Sequence, residues 1–345
     1  MMLWIIAAIA GAVVLAGIAF LALRREDQRP PAKPAAQPPA SKPSTAEVEG
    51  TRMASIPPPS GMPFGNMSEE LDRSGLESQE LWVDVEDEPT GPIPKIVLAA
   101  AGKTDPGRKR AHNEDAYLVW PEHELYAIAD GMGGYAAGEV ASRLAVETLR
   151  DVYRAEAFGA LEEGYPKRGA ELVAAIRQAN DRIRNESQRD EEKAGMGTTI
   201  VAARFSPGRN RVYVAHVGDS RCYRIRDGAL SQLTTDHTLA AVGIQGPSGQ
   251  KLSRAVGVFD DVDVDLTVDE PRPGDVYLLC SDGLYKMVPD SMIQTALDGR
   301  RPLQQAVEEL VAVANERGGR DNVSVVAVRV EDPEVRESGE HRIPG

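Results

Sequence analysis

The chain of 345 residues is 42% hydrophobic and carries 39 Lys and Arg against 53 Asp and Glu, a formal charge of −14. That length accommodates one large domain or two small ones, and an acidic balance without a basic stripe excludes a nucleic-acid partner. Its two cysteines, Cys222 and Cys280, form no CxxC pair and no disulfide framework, which points to a reducing compartment.

The first element is an apolar run, Leu3 to Leu23 (LWIIAAIAGAVVLAGIAFLAL), without a charged residue. About 20 such residues in a helix cross a hydrocarbon core of roughly 30 Å. Arg24 and Arg25 follow at once and no Lys or Arg precedes, so the positive-inside rule puts the rest of the chain in the cytoplasm. A cleaved signal peptide would carry its positive charge before the apolar run. Residues 1–25 are therefore expected to be a single transmembrane anchor in the inner (plasma) membrane. Residues 26–95 read as a disordered linker. Arg29 to Gly65 is rich in Pro, Ala and Ser and suits an extended tether. Asn66 to Pro94 is acidic, with Leu81, Trp82 and Val83 as its main apolar cluster.

Residues 96–331 carry the alternation and periodicity of a folded domain, and residues 332–345 read as a flexible polar tail. In chain order, strand patterns cover Ile96 to Gly102, Tyr117 to Trp120 and Leu125 to Ala129. Two long helical patterns follow. Ala137, Val140, Ala141, Leu144 and Val152 share one face, and Leu172, Val173, Ile176, Ala179 and Ile183 another. Further strands are Thr198 to Phe205, Arg211 to Gly218, Cys222 to Ile225, Val262 to Val268, Asp275 to Cys280 and Asn322 to Val330. A second helical pair starts at Asp290 and at Pro302, the latter with Leu303, Ala306, Val307, Leu310 and Ala314 on one face. Strands in hairpin-like groups, separated by helical pairs, do not fit a parallel sheet. They fit an α+β fold of two antiparallel sheets flanked by helical pairs.

Carboxylates stand at the strand ends. Asp115 precedes one apolar strand and Asp130 ends the next, and the two are equidistant from the midpoint between Glu122 and His123. In that hairpin register they face each other at roughly 5 Å between Cβ atoms. Like charges so close repel unless a cation lies between them. Glu114 adds a third carboxylate, Asp282 follows another apolar strand, and Asp321 precedes one. Antiparallel pairing can bring these strand-end acids to one rim. An all-oxygen set suits Mg²⁺ or Mn²⁺, and two such ions can activate water and clamp a phosphoryl group. Arg110, just before the acids, offers a planar fork for phosphate oxygens.

In this order and spacing, TDPGRKRAHNEDA, IADGMGG, GMGTTIVAA, HVGDSRCY, LCSDGLY and GGRDNVSVV resemble metal-dependent protein phosphatases of the PP2C type, bacterial branch, over about Ile96 to Val330. The resemblance implies a sandwich of two antiparallel sheets with a binuclear Mn²⁺ or Mg²⁺ site on its rim. Asp130 would bridge both ions, the Gly131 carbonyl would join one, and Asp282 and Asp321 would hold the other. Glu114 and Asp115 would bind directly or through water, and Arg110 would grip the substrate phosphate. A metal-bridging hydroxide would then attack phosphoserine or phosphothreonine in line. Partners implied are phosphorylated proteins, including Ser/Thr kinases and their substrates.

The chain departs from the family at three points. Tyr135 stands where many bacterial members carry a His, so His112 and Tyr135 are the two candidate proton donors. A third metal in the family is held by an acid shortly before MGTT, and Glu192 is the first choice among Asp190, Glu191 and Glu192. The segment between TTDHTL and LSRAVG is shorter than the flap of relatives. Two other readings stay open on the same scaffold, a phosphoprotein-docking module and a small-molecule phosphatase. His216 and Asp219 can be read as metal ligands, but strand packing and a loop-fixing aspartate are the favoured readings; Cys222 and Cys280 are favoured as buried core over nucleophiles.

Overall fold

The computed structural model describes residues 96–133, 137–206, 208 and 210–332. The expected anchor, the linker, Tyr135 and the tail beyond Asp332 lie outside the described residues. Among the described residues no helix is long and apolar enough to cross a membrane.

Among the described residues, eleven strands and five α-helices follow in the order β1 Val97–Asp105, β2 Asp115–Trp120, β3 Leu125–Met132, α1 Ala137–Ala155, α2 Lys167–Arg189, β4 Gly197–Thr198, β5 Ile200–Ser206, β6 Arg211–Val217, β7 Arg221–Arg226, β8 Ala229–Gln232, β9 Asp265–Asp269, β10 Val276–Cys280, α3 Asp282–Tyr285, α4 Asp290–Ala296, α5 Leu303–Glu316 and β11 Val323–Glu331. They form two sheets. The first runs β1-β11-β10-β7-β8. The second runs β2-β3-β5-β6-β9, with β4 added onto the end of β3. Every named pairing is antiparallel.

Period-two alternation explains the layering, because successive strand side chains point to opposite faces. On β3, Leu125, Ala127 and Ala129 pack toward α1 and α2, while Tyr126 and Ile128 point between the sheets. On β11, Val323, Val325 and Ala327 face α3 to α5, while Val326, Val328 and Val330 face inward. The result is four layers, helix–sheet–sheet–helix, with three apolar interfaces. Tyr126, Phe205 and Tyr277 meet edge to face in the middle one, at centroid distances of 5.8 and 5.3 Å. Edge-to-face contact is a favoured geometry for aromatic pairs.

The helical faces read from sequence are the faces that pack. Leu172, Val173, Ile176, Ala179 and Ile183 of α2 are buried against the second sheet. Leu303, Ala306, Val307, Leu310 and Ala314 of α5 are buried against the first. Cys222 and Cys280 are free and buried, and burial holds both thiols well above their ordinary pKa. Several boundaries differ: β1 runs on to Asp105, the strand expected from Thr198 to Phe205 divides into β4 and β5, and β8 was not expected. The strand expected from Val262 begins at Asp265. His216↔Asp265 is the last pair between β6 and β9, and Val262 and Val264 enter the core without strand pairing.

Candidate metal centre

The β2–β3 hairpin has the register counted from the sequence, with Asp115 opposite Asp130. Its turn is a 3-10 turn, Pro121–His123, closed by Glu124 in the left-handed region at φ 53°. From the first sheet, β10 ends at Cys280, and Asp282 opens α3 directly after it. Asp321 precedes β11. Asn322 joins the two halves: its Oδ1 accepts from the Glu114 amide at 2.8 Å, and its Nδ2 donates to the Pro106 and His112 carbonyls, both at 2.9 Å.

These elements form one cleft, lined by Arg110, Glu114, Asp130, Gly131, Asp219, Asp282, Lys286 and Asp321 among others. Asp115 lies beneath it. Its Oδ2 accepts from Ser281 Oγ at 2.8 Å and Ser324 Oγ at 2.7 Å, while its Oδ1 is buried without a hydrogen-bond partner. The Asp130 carbonyl is pinned by the Thr199 amide at 2.8 Å and Thr198 Oγ1 at 2.9 Å. Two glycines permit the close approach of backbones. A Cβ on Gly131 would sit 2.1 Å from the Gly138 carbonyl oxygen, and one on Gly283 would sit 1.9 Å from that of Asn322.

The electrostatics follow from that crowding. Burial pushes the Asp115 carboxyl up to about 7, against the lowering effect of its two serine donors. Burial and then the neighbouring charges of Asp115 and Asp282 hold Asp130 well above the usual carboxylate range. Glu114 and Asp219 are raised too, chiefly by burial. Opposite these acids, Arg110 donates to Asp321 Oδ2 at 2.8 Å, and this bond raises its pKa further. Carboxylates crowded at a cost to their charged forms, one with an unpartnered buried oxygen, fit a site built around divalent cations. Asp130 could bridge two ions, and Asp282, Asp321, Glu114 and the Gly131 carbonyl offer the remaining hard oxygen donors.

Not every residue singled out from sequence lies here. His112 is exposed, its carbonyl accepts from Asn322 Nδ2, and its ring is not part of the cleft lining. Glu192 sits on the 3-10 turn Glu191–Lys193, outside the lining. Asp190 caps that turn, and Lys193 ties it to Glu186 at the end of α2. His216 is buried on β6: its Nε2 bonds to the Thr235 carbonyl at 2.8 Å and its ring stacks on His237. Asp219 lines the cleft and accepts from Tyr285 Oη at 3.3 Å. Asn322, Ser281, Ser324 and Lys286 were not singled out at all. Only the DN pair of GGRDNVSVV carries a sequence hint of this role.

A family model for protein phosphatase 2C matches residues 107–325. The serine/threonine protein phosphatase PstP of Mycobacterium tuberculosis is 39% identical over 248 residues, covering 69% of this chain and 46% of PstP. The chain thus matches about half the length of that relative. The serine/threonine phosphatase stp of Listeria monocytogenes is 36% identical over 245 residues, covering 67% of this chain and 95% of stp. Among solved structures, the catalytic domain of PstP in complex with two manganese ions superposes with a TM-score of 0.59 at 40% identity, over 69% of this chain and all of that one.

Proposed function

The chain belongs to the protein phosphatase 2C family, and from that premise we propose that it hydrolyses phosphoserine and phosphothreonine on proteins in a reaction dependent on Mn²⁺ or Mg²⁺. The observation that carries this reading is the convergence of Asp130, Asp282, Asp321 and Glu114 on one cleft with Arg110 at its mouth. Two divalent ions, when bound, supply activated water and charge neutralisation at the phosphoryl group.

The chain's own residues do the rest. Asp130, fixed through its carbonyl by Thr198 and Thr199, presents its carboxylate between the two halves of the cleft. Gly131 lets the Gly138 and Glu114 backbones pack against β3 beside it without a side chain in the way. Arg110 exchanges its bond to Asp321 for the phosphate of the substrate, and its fork fixes the orientation of the phosphoryl oxygens. Asn322 holds the Arg110–Glu114 segment against the Asp321 loop, so the cation and the acids keep their spacing.

The experiment is phosphate release from a phosphothreonine peptide by the full chain in detergent, with Mn²⁺, with chelator, and with Asp130→Asn. Mn²⁺-dependent release lost in the variant is the expected result. A folded, Mn²⁺-loaded chain that releases no phosphate overturns the catalytic reading.

The reading extends to place and partners. Leu3 to Leu23 followed by Arg24 and Arg25 supports attachment to the plasma membrane with the phosphatase domain on the cytoplasmic side. Such a chain would act on membrane-associated Ser/Thr kinases and their substrates. Protease digestion of sealed, right-side-out cells should then leave the domain intact, and its removal from outside would refute this orientation.

A further inference from the structure

We propose that the ammonium of Lys286 is a tethered cation of the cleft, holding the Asp219–Asp282 side so that the chain takes two divalent ions and no third ion between those carboxylates. The inference rests on the metal-dependent reading above. Lys286 follows the single turn of α3, whose first residue is Asp282. The four-residue spacing brings its side chain back over that turn. Its Nζ lies 2.5 Å from Asp282 Oδ2 and 3.9 Å from Asp219 Oδ2. All three residues line the cleft with Asp130.

Asp219 is fixed from its other side. Tyr285 Oη donates to the same Oδ2 at 3.3 Å. The Tyr285 ring lies 3.6 Å from the Arg221 guanidinium, and Arg221 is gripped by Asp236 through bonds of 2.8 and 2.7 Å. The Asp219 side chain is only 10% exposed, and a carboxylate so placed requires a partner. Among the described residues, Lys286 is the cation within ion-pair distance of it.

Charge counting agrees. Six carboxylates face or underlie the cleft, the five of its lining together with Asp115, against two fixed cations, Arg110 and Lys286. Two divalent ions neutralise the remainder. A third would have to share Asp219 and Asp282 with an ammonium already between them, at a Coulomb cost that the enclosing protein magnifies.

The test counts ions. The full chain in detergent is stripped with chelator and equilibrated against rising Mn²⁺, and saturable Mn²⁺ per chain is measured by elemental mass spectrometry. Wild type and Lys286→Arg should saturate at about two equivalents, Lys286→Met at about three, and Lys286→Met with Asp219→Asn at about two again. Three equivalents in wild type, or two in Lys286→Met, overturn the role given to Lys286 and leave the phosphatase reading standing. A wild-type chain without saturable Mn²⁺ overturns both.

Discussion

Asp115 and Asp130 are register partners across the β2–β3 hairpin, and burial raises the pKa of each. A pair of this kind titrates as a unit. It stores a cost that protonation or a cation relieves.

The first prediction concerns pH. A carboxyl raised on folding contributes stability below its unfolded pKa, and that contribution is lost as pH rises through the folded value. For Asp115 the window runs from the ordinary value near 3.8 to about 7, with Asp130 raised in the same direction. The metal-free chain should therefore lose thermal stability as pH rises from 5 to 8. Mn²⁺ should reverse the loss at the upper end. Scanning calorimetry with and without chelator checks both, and a metal-free midpoint that climbs with pH would refute the assignment.

The serine donors set where that window lies. Ser281 and Ser324 lower the Asp115 pKa by bonding to its charged form. Ser324→Ala should move the pH midpoint of Mn²⁺ binding upward by roughly one unit, the scale of one hydrogen bond to a charged group. Titration of Mn²⁺ affinity against pH reads it directly.

Gly131→Ala tests the approach of backbones. The new methyl would stand 2.1 Å from the Gly138 carbonyl oxygen and 2.6 Å from that of Glu114. Both obstacles are backbone, so relief requires shifting β3 or the start of α1. A cost of about 3 kcal/mol or more is expected, seen as a lowered urea midpoint together with weakened Mn²⁺ binding.

Asn322→Ala leaves the Glu114 amide and the Pro106 and His112 carbonyls without their partner. Unmade buried hydrogen bonds cost about 1–3 kcal/mol each. Weaker Mn²⁺ binding should accompany a clear loss of stability. Unchanged Mn²⁺ affinity would show that Asn322 supports the fold alone.

Arg110→Lys keeps the charge and discards the fork. On the proposed role, KM for a phosphopeptide should rise about tenfold, the effect of roughly 1.4 kcal/mol of binding. Mn²⁺ stoichiometry should stay unchanged, because Arg110 is not among the oxygen donors. Steady-state kinetics beside ion counting separates the two.

How much of this was legible depended on distance along the chain. The opposition of Asp115 and Asp130 could be counted outward from the turn, because a hairpin register is local. The helical faces of α2 and α5 were legible because apolar spacing fixes the buried side. Ser281, Ser324 and Asn322 were not. Their roles exist only once β10 and β11 lie side by side beneath β2, and no local pattern marks a serine for that position. Asp219 could be weighed as a metal ligand or a loop-fixing aspartate but not decided, since exposure and burial at a strand end depend on what docks over it. Glu192 was chosen for its place shortly before MGTT; its turn is capped by Asp190 and tied by Lys193 to Glu186 at the end of α2.

The strand order carries one more consequence, for synthesis. The last strand, β11, lies between the first, β1, and β10, and Asp321, Asn322 and Ser324 stand at its start. A ribosome-bound chain lacking this strand has a first sheet with a gap in the middle. It also has an Asp115 without one of its serine donors and a cleft without one of its walls. On the proposed function, activity should not precede completion of the domain. On the same reading, a chain that ends before β11 should release no phosphate, so premature termination upstream should yield an inert product rather than an unregulated one.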